Sequence, residues 1–163
     1  MHSGSRNCAY SCRRRAYAEQ QKKIFKKSFM QKKTFPEFTY RWLRGTRMEG
    51  VTIGGNIRCF LKLAGTHYFP DPKEKILFLE ALGGGPARMA SLLAQLDQLS
   101  AFHVLRGVLL GTFSAMQCEN QTPAIEELVL GITEKYGLPV AKTEQLGHGE
   151  DARCIPIGRW IAL

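Results

Sequence analysis

Glu80 and His148 are the two side chains of this sequence whose type and setting most suggest catalysis. Glu80 closes an unbroken apolar run, Ile76-Leu77-Phe78-Leu79, and a glycine-rich turn with a helical pattern follows it. Open α/β sheets gather their chemistry at such strand ends. A carboxylate there can orient a histidine and stabilise its imidazolium. His148 lies between Gly147 and Gly149, on backbone able to approach a substrate closely. Imidazole both takes up and releases a proton near neutral pH, which suits a general base. Each residue also has a plainer reading, a strand end reaching water and a surface-loop histidine. On spacing alone those plainer readings are favoured.

Asn56 follows Gly54-Gly55 at a predicted helix start. It could offer an amide and helix-terminal N–H groups to an anion, or serve only as an N-cap. Arg88 could hold a carboxylate but more often such a residue faces water. His67 and His103 fall in loop or helix-end contexts. A serine nucleophile would complete the set, yet no serine has the Gly-x-Ser-x-Gly strand–turn–helix context. Ser91 lies inside an amphipathic helix, Ser100 at its end and Ser114 just past a strand. The four histidines, His2, His67, His103 and His148, make no i,i+4 pair with one another or with a cysteine. Neither a metal nor another cofactor is therefore expected.

The elements that must position these groups read as an α/β unit. Folded order is predicted from Met48. Val51-Thr52-Ile53 is a short strand, Gly54-Gly55 a tight turn, and Ile57, Phe60, Leu61 and Ala64 a helix stopped by Gly65. The Lys75–Glu80 run is a strand buried on both faces. Met89, Leu92, Leu93, Leu96 and Leu99 share one helical face. Gly107–Gly111 is a second buried strand. Thr122-Pro123 is placed to open another helix as N-cap and first residue, with Glu126 and Glu127 in its first turn and Gly137 at its close. A strand over Pro139–Lys142 follows, and Cys154–Leu163 reads as a closing pair of short strands around Gly158-Arg159.

The chain's formal charge of +9 is unevenly spread. Residues 1–50 hold thirteen Lys/Arg against three Glu, whereas residues 51–163 hold ten against eleven Asp/Glu. The basicity thus belongs to an arm, residues 1–33, with a basic amphipathic helix expected over Ala16–Gln31. Such an arm suits an anionic partner, but a solvated tail is the plainer reading. Residues 34–47, with Phe35, Phe38, Tyr40 and Trp42, read as a connector that packs on something. Five cysteines form no C-x-x-C pair, and Cys59, Cys118 and Cys154 read as buried, reduced thiols. Without an apolar leader this points to the cytoplasm, and no run is long enough to span a bilayer.

Five stretches carry a resemblance to a known family. They are Glu49-Gly50-x-x-Ile53-Gly54-Gly55-Asn56, Leu63-x-Gly65-Thr66-x-Tyr68-x-Pro70, Ile76-Leu77-Phe78-Leu79-Glu80, Gly111-Thr112-Phe113 and Gly147-His148-Gly149. In this order they resemble the LD-carboxypeptidases, which include muramoyltetrapeptide carboxypeptidases and microcin C self-immunity peptidases. The resemblance covers about residues 45–160 and implies the family's C-terminal, swivelling β/β/α domain over residues 48–163. It implies Glu80 as triad carboxylate, His148 as general base and Asn56 as a substrate-cleft residue. The nucleophilic serine of the family belongs to an N-terminal domain that these residues do not resemble. A fragment inactive alone is therefore expected, completed by a serine-bearing domain elsewhere or on another chain. The implied substrate is a murein tetrapeptide-like peptide, the implied compartment the cytoplasm, and a homodimer is allowed. Two alternatives stand beside this: a self-immunity hydrolase of peptidyl-nucleotide antibiotics, and a non-enzymatic binding domain whose arm binds nucleic acid. The last is the least favoured, because the arm carries no stacking motif.

Overall fold

The computed structural model describes residues 38–149 and 152–163. The arm over 1–33, its expected helix, Phe35 and the Glu150-Asp151 pair lie outside the described residues. At the centre runs β3 (Lys75–Ala81), with Ile76, Leu77, Phe78 and Leu79 at most 5% exposed. Full burial of one such side chain contributes about 1.5–3 kcal/mol, so this tetrapeptide alone anchors the sheet. Parallel to β3 lie β2 (Glu49–Asn56) on one side and β4 (Gly107–Phe113) on the other, and β5 (Val140–Lys142) continues parallel to β4. Short antiparallel strands finish both edges, β1 (Arg41–Arg44) against β5 and β6 (Trp160–Ala162) against β2. The order across the sheet is β1-β5-β4-β3-β2-β6.

Between the parallel strands come α1 (Ile57–Leu61), α2 (Pro86–Gln98), α3 (Ala101–Val104), α4 (Ser114–Cys118) and α5 (Ile125–Thr133). The three crossovers all step the same way along the sheet. Crossovers of this kind are right-handed, so every connecting helix falls on one face. The larger core accordingly joins Ile57, Leu93, Leu96, Phe102, Met116 and Val129 of the helices to Leu77, Leu79, Val108 and Leu110 of the strands. On the opposite face Ile76, Phe78, Leu109 and Ala141 are covered by Met48 and Leu146, with Phe38, Trp42, Ile155, Ile161 and Leu163 packed around them. The stretch read as a connector thus supplies an edge strand. Arg44 on that strand reaches the end of α5, donating to the carbonyls of Leu130, Thr133 and Leu138. A guanidinium there satisfies helix-end acceptors that lack partners within the helix.

Several local expectations are corrected. Gly54-Gly55 is not a turn: both residues lie within β2, at φ of +110° and +136°. A Cβ on Gly54 would stand 2.1 Å from the Phe78 carbonyl oxygen, so the glycine is there for close strand approach. The first helix ends at Leu61, before Ala64 and Gly65. The helix expected to open at Thr122-Pro123 begins at Ile125, where Glu127 accepts from the Ala124 N–H at the cap. Of the pair of strands expected over Cys154–Leu163, Trp160–Ala162 forms and the part before Gly158 is no strand; the isolated bridge of Leu146 with Arg153 lies just ahead of it. Cys59 and Cys118 are exposed and Cys154 half-buried, all with free thiols, so the expectation of buried thiols is not met.

Candidate active site

The parallel register sets Asn56 opposite Glu80, each at the C-terminal end of its strand. Ile76 and Phe78 point away from the helices, and strand alternation sends Glu80 to that same face. Its residue exposure is 7%, low for a carboxylate at a strand end. Asn56 caps α1, its Oδ1 accepting the Cys59 N–H at 3.3 Å. With its oxygen on the Cys59 N–H, Asn56 has its amide nitrogen left as a side-chain donor.

His148 arrives from the far end of the sequence along the edge of β4. The Thr143 N–H donates to Leu110 O at 2.9 Å, and the Thr112 N–H donates to Leu146 O at 2.8 Å. The His148 N–H then donates to Thr112 Oγ1 at 2.9 Å. Two glycines make this close approach sterically feasible. A Cβ on Gly111 would lie 2.4 Å from Leu146 O, and one on Gly147 would lie 2.2 Å from Thr112 Oγ1. Gly147 also holds φ at +121°, a conformation that favours glycine.

The result is a contact of 2.5 Å between His148 Nδ1 and Glu80 Oε2. Oε2 is shut off from solvent, and the ring nitrogen meets it at ion-pair distance without full hydrogen-bond alignment. The imidazole itself is 39% exposed, against 9% for the carboxylate side chain. A buried acid behind a half-exposed imidazole can hold Nδ1 and leave Nε2 to exchange a proton with a group on the open side. Among the described residues no cluster of three or more His, Cys, Asp or Glu is placed to hold a metal ion.

Three residues singled out in the sequence, Glu80, His148 and Asn56, therefore meet at one rim of the sheet. Arg88 is exposed near the start of α2, Ser91 and Ser100 are exposed, His67 stacks on Tyr68, and His103 lies against Tyr136. Two groups in the neighbourhood were given no role by sequence reading. One is Thr112, which appeared only as the middle residue of the Gly111-Thr112-Phe113 motif. The other is Lys142, buried to its ammonium, which donates to Glu144 Oε1 at 2.5 Å while Gln117 Nε2 donates to Glu144 Oε2 at 2.6 Å. Burial pushes the Glu144 carboxyl up, but the bonds from Lys142 and Gln117 outweigh it and hold it below its ordinary range. Gln117 Oε1 in turn accepts the Phe113 N–H, so this chain of bonds ends on the same strand end.

Comparison with known proteins places this arrangement in context. The sequence profile described as the LD-carboxypeptidase C-terminal domain matches residues 49–163. A putative carboxypeptidase of Treponema pallidum (strain Nichols) is 33% identical over 124 residues, covering 71% of this chain and 34% of that protein. A probable murein peptide carboxypeptidase of Bacillus subtilis (strain 168) is 27% identical over 124 residues, covering 72% and 37%. The chain thus spans a little over a third of the length of these relatives. Among solved structures, the microcin C7 self immunity protein MccF in its wild-type apo state superposes with a TM-score of 0.68 at 20% identity, over 80% of this chain and 39% of that one. At that identity the likeness shows the fold. An MccF-like protein from Bacillus anthracis str. Ames gives 0.64 at 28% identity, over 76% and 38%. Across the described residues no helix is long and apolar enough to cross a membrane.

Proposed function

The chain belongs to the LD-carboxypeptidase family, whose C-terminal domain it carries, and from that premise we propose that it supplies the Glu and His of a Ser–Glu–His peptidase site. The observation that carries this reading is the 2.5 Å contact between His148 Nδ1 and the solvent-excluded Oε2 of Glu80. Glu80 fixes the tautomer in which Nε2 is the basic nitrogen and stabilises the imidazolium when it forms. Nε2 takes the proton of a serine hydroxyl provided by a serine-bearing domain, on a longer polypeptide or a separate chain. The serine oxygen attacks the carbonyl before a terminal D-amino acid. As the C–N bond breaks, His148 returns the proton to the leaving amine, and water releases the acyl group by the same steps reversed. Asn56 lines the cleft with its amide. Backbone N–H groups beside the serine stabilise the oxyanion and belong to the other domain.

The proposed substrate is a murein tetrapeptide in the cytoplasm, consistent with the murein peptide carboxypeptidase among the relatives. The test joins this chain to the N-terminal portion of the Treponema relative and follows release of D-alanine from an L,D-tetrapeptide. The chain alone should release none. The joined protein should, with Glu80→Gln or His148→Ala lowering kcat/KM on the order of a thousandfold or more. Turnover by the chain alone, or by a joined protein indifferent to both substitutions, would overturn the proposal. Running a peptidyl-nucleotide substrate in parallel separates the self-immunity alternative.

A further inference from the structure

We propose that Thr112 is a positioning residue for His148, turned toward it by a one-residue bulge in β4. The proposal rests on the function given above. Along β4 the pairing runs Leu79 with Leu110 but Ala81 with Phe113, so one extra residue enters β4 between those partners. Val108 and Leu110 face the helices, and strict alternation would send Thr112 to the same side. Instead Phe113 takes the place among the helices, and Thr112 Oγ1 meets the backbone of Gly147 and His148 on the opposite face. Bulges re-aim side chains in this way, often beside functional sites.

Thr112 then grips the His148 loop twice. Its N–H donates to Leu146 O at 2.8 Å, and its Oγ1 accepts the His148 N–H at 2.9 Å. Backbone bonding alone holds Leu146 on one side and Gly149, which accepts the Ala152 N–H at 3.2 Å, on the other, with no backbone acceptor for the His148 N–H itself. The hydroxyl is the atom that fixes the register of the imidazole against Glu80. Nothing else in the described structure accepts the His148 N–H, and Thr112 is only 6% exposed, so water is poorly placed to substitute.

The experiment uses the whole chain, so it is independent of whether hydrolysis can be reconstituted. Histidine labelled with 15N reports the His148 tautomer, and amide hydrogen exchange reports its N–H. Thr112→Val keeps the side-chain shape and removes the acceptor, whereas Thr112→Ser keeps the acceptor. In Thr112→Val the His148 amide should exchange at least about tenfold faster than in the wild type, and the single Nδ1-protonated tautomer should give way to a mixture. Thr112→Ser should restore both signals, which a merely structural role would not require. A Thr112→Val protein with wild-type protection and tautomer overturns the proposal, as does a Thr112→Ser protein that loses both. In the joined enzyme Thr112→Val should lower kcat with KM little changed. If the joined enzyme never turns over, the functional reading fails while the labelling results still decide the role of Thr112.

Discussion

Lys142 lies at the end of β5 with its side chain fully buried, and its ammonium is held by the Glu144 carboxylate, whose own side chain is 58% exposed. A buried cation whose carboxylate is removed stays desolvated and uncompensated, whereas removing the cation leaves an acid that can simply face water. Glu144→Gln should therefore cost about 1–2 kcal/mol, the modest figure reflecting the exposed carboxylate, and Lys142→Met less. Because the folded-state carboxyl of Glu144 is held below its ordinary range, its contribution is full above the unfolded-state value and is lost as pH falls through the folded one. Urea titrations from pH 7 down to pH 3 should show the wild type converging on Glu144→Gln at the acid end. Parallel curves would contradict this assignment. The pair was invisible in the sequence, where Lys142 was only the last residue of a predicted strand and Glu144 drew no reading.

At the scale of the element, β2 shows how two adjacent glycines can be present for different reasons. Gly54 faces the Phe78 carbonyl at a distance no Cβ can share, while a Cβ on Gly55 would meet nothing within 4 Å. Both hold positive φ. Gly55→Ala should then cost only the backbone strain, about 1–2 kcal/mol. Gly54→Ala adds a clash between β2 and β3 and should cost more than about 4 kcal/mol or prevent folding. Denaturant midpoints of the two variants test the difference, and equal losses would mean that strain alone decides. The pair resembled a turn in sequence because glycine signals backbone freedom without saying whether the chain bends or another strand presses close. The long apolar run of β3 and the helical stripe of α2 were legible for the opposite reason: their periodicity records burial directly.

At the scale of the whole molecule, the sheet depends on its C-terminal segment to close an edge. β6 pairs with β2, Leu163 exchanges backbone bonds with Met48, and Gly158 and Arg159 bond to Thr52. A chain ending at Pro156 would leave the β2 edge open, and such edges invite pairing with other chains. Light scattering should show concentration-dependent association of that truncation beyond whatever the intact chain displays; equal behaviour would argue against the edge-closing role. The charge map also changes meaning at this scale, since Arg41, Arg44 and Arg47 of the basic N-terminal part are paired within the fold with Glu126, the end of α5 and Glu49. The sequence by itself determined the buried central strand, the carboxylate at its end, the helix after it and, through five motifs in order, the family. The strand, its carboxylate and the helix follow from local composition and periodicity, which the chain carries residue by residue, whereas the family followed from the resemblance of the motifs. Only the tertiary structure decided that His148 reaches Glu80, that Asn56 stands beside it in register, and that a slip in β4 turns Thr112 toward the histidine. These depend on which strands pair and in what register, a balance of contacts between distant segments that no local pattern encodes.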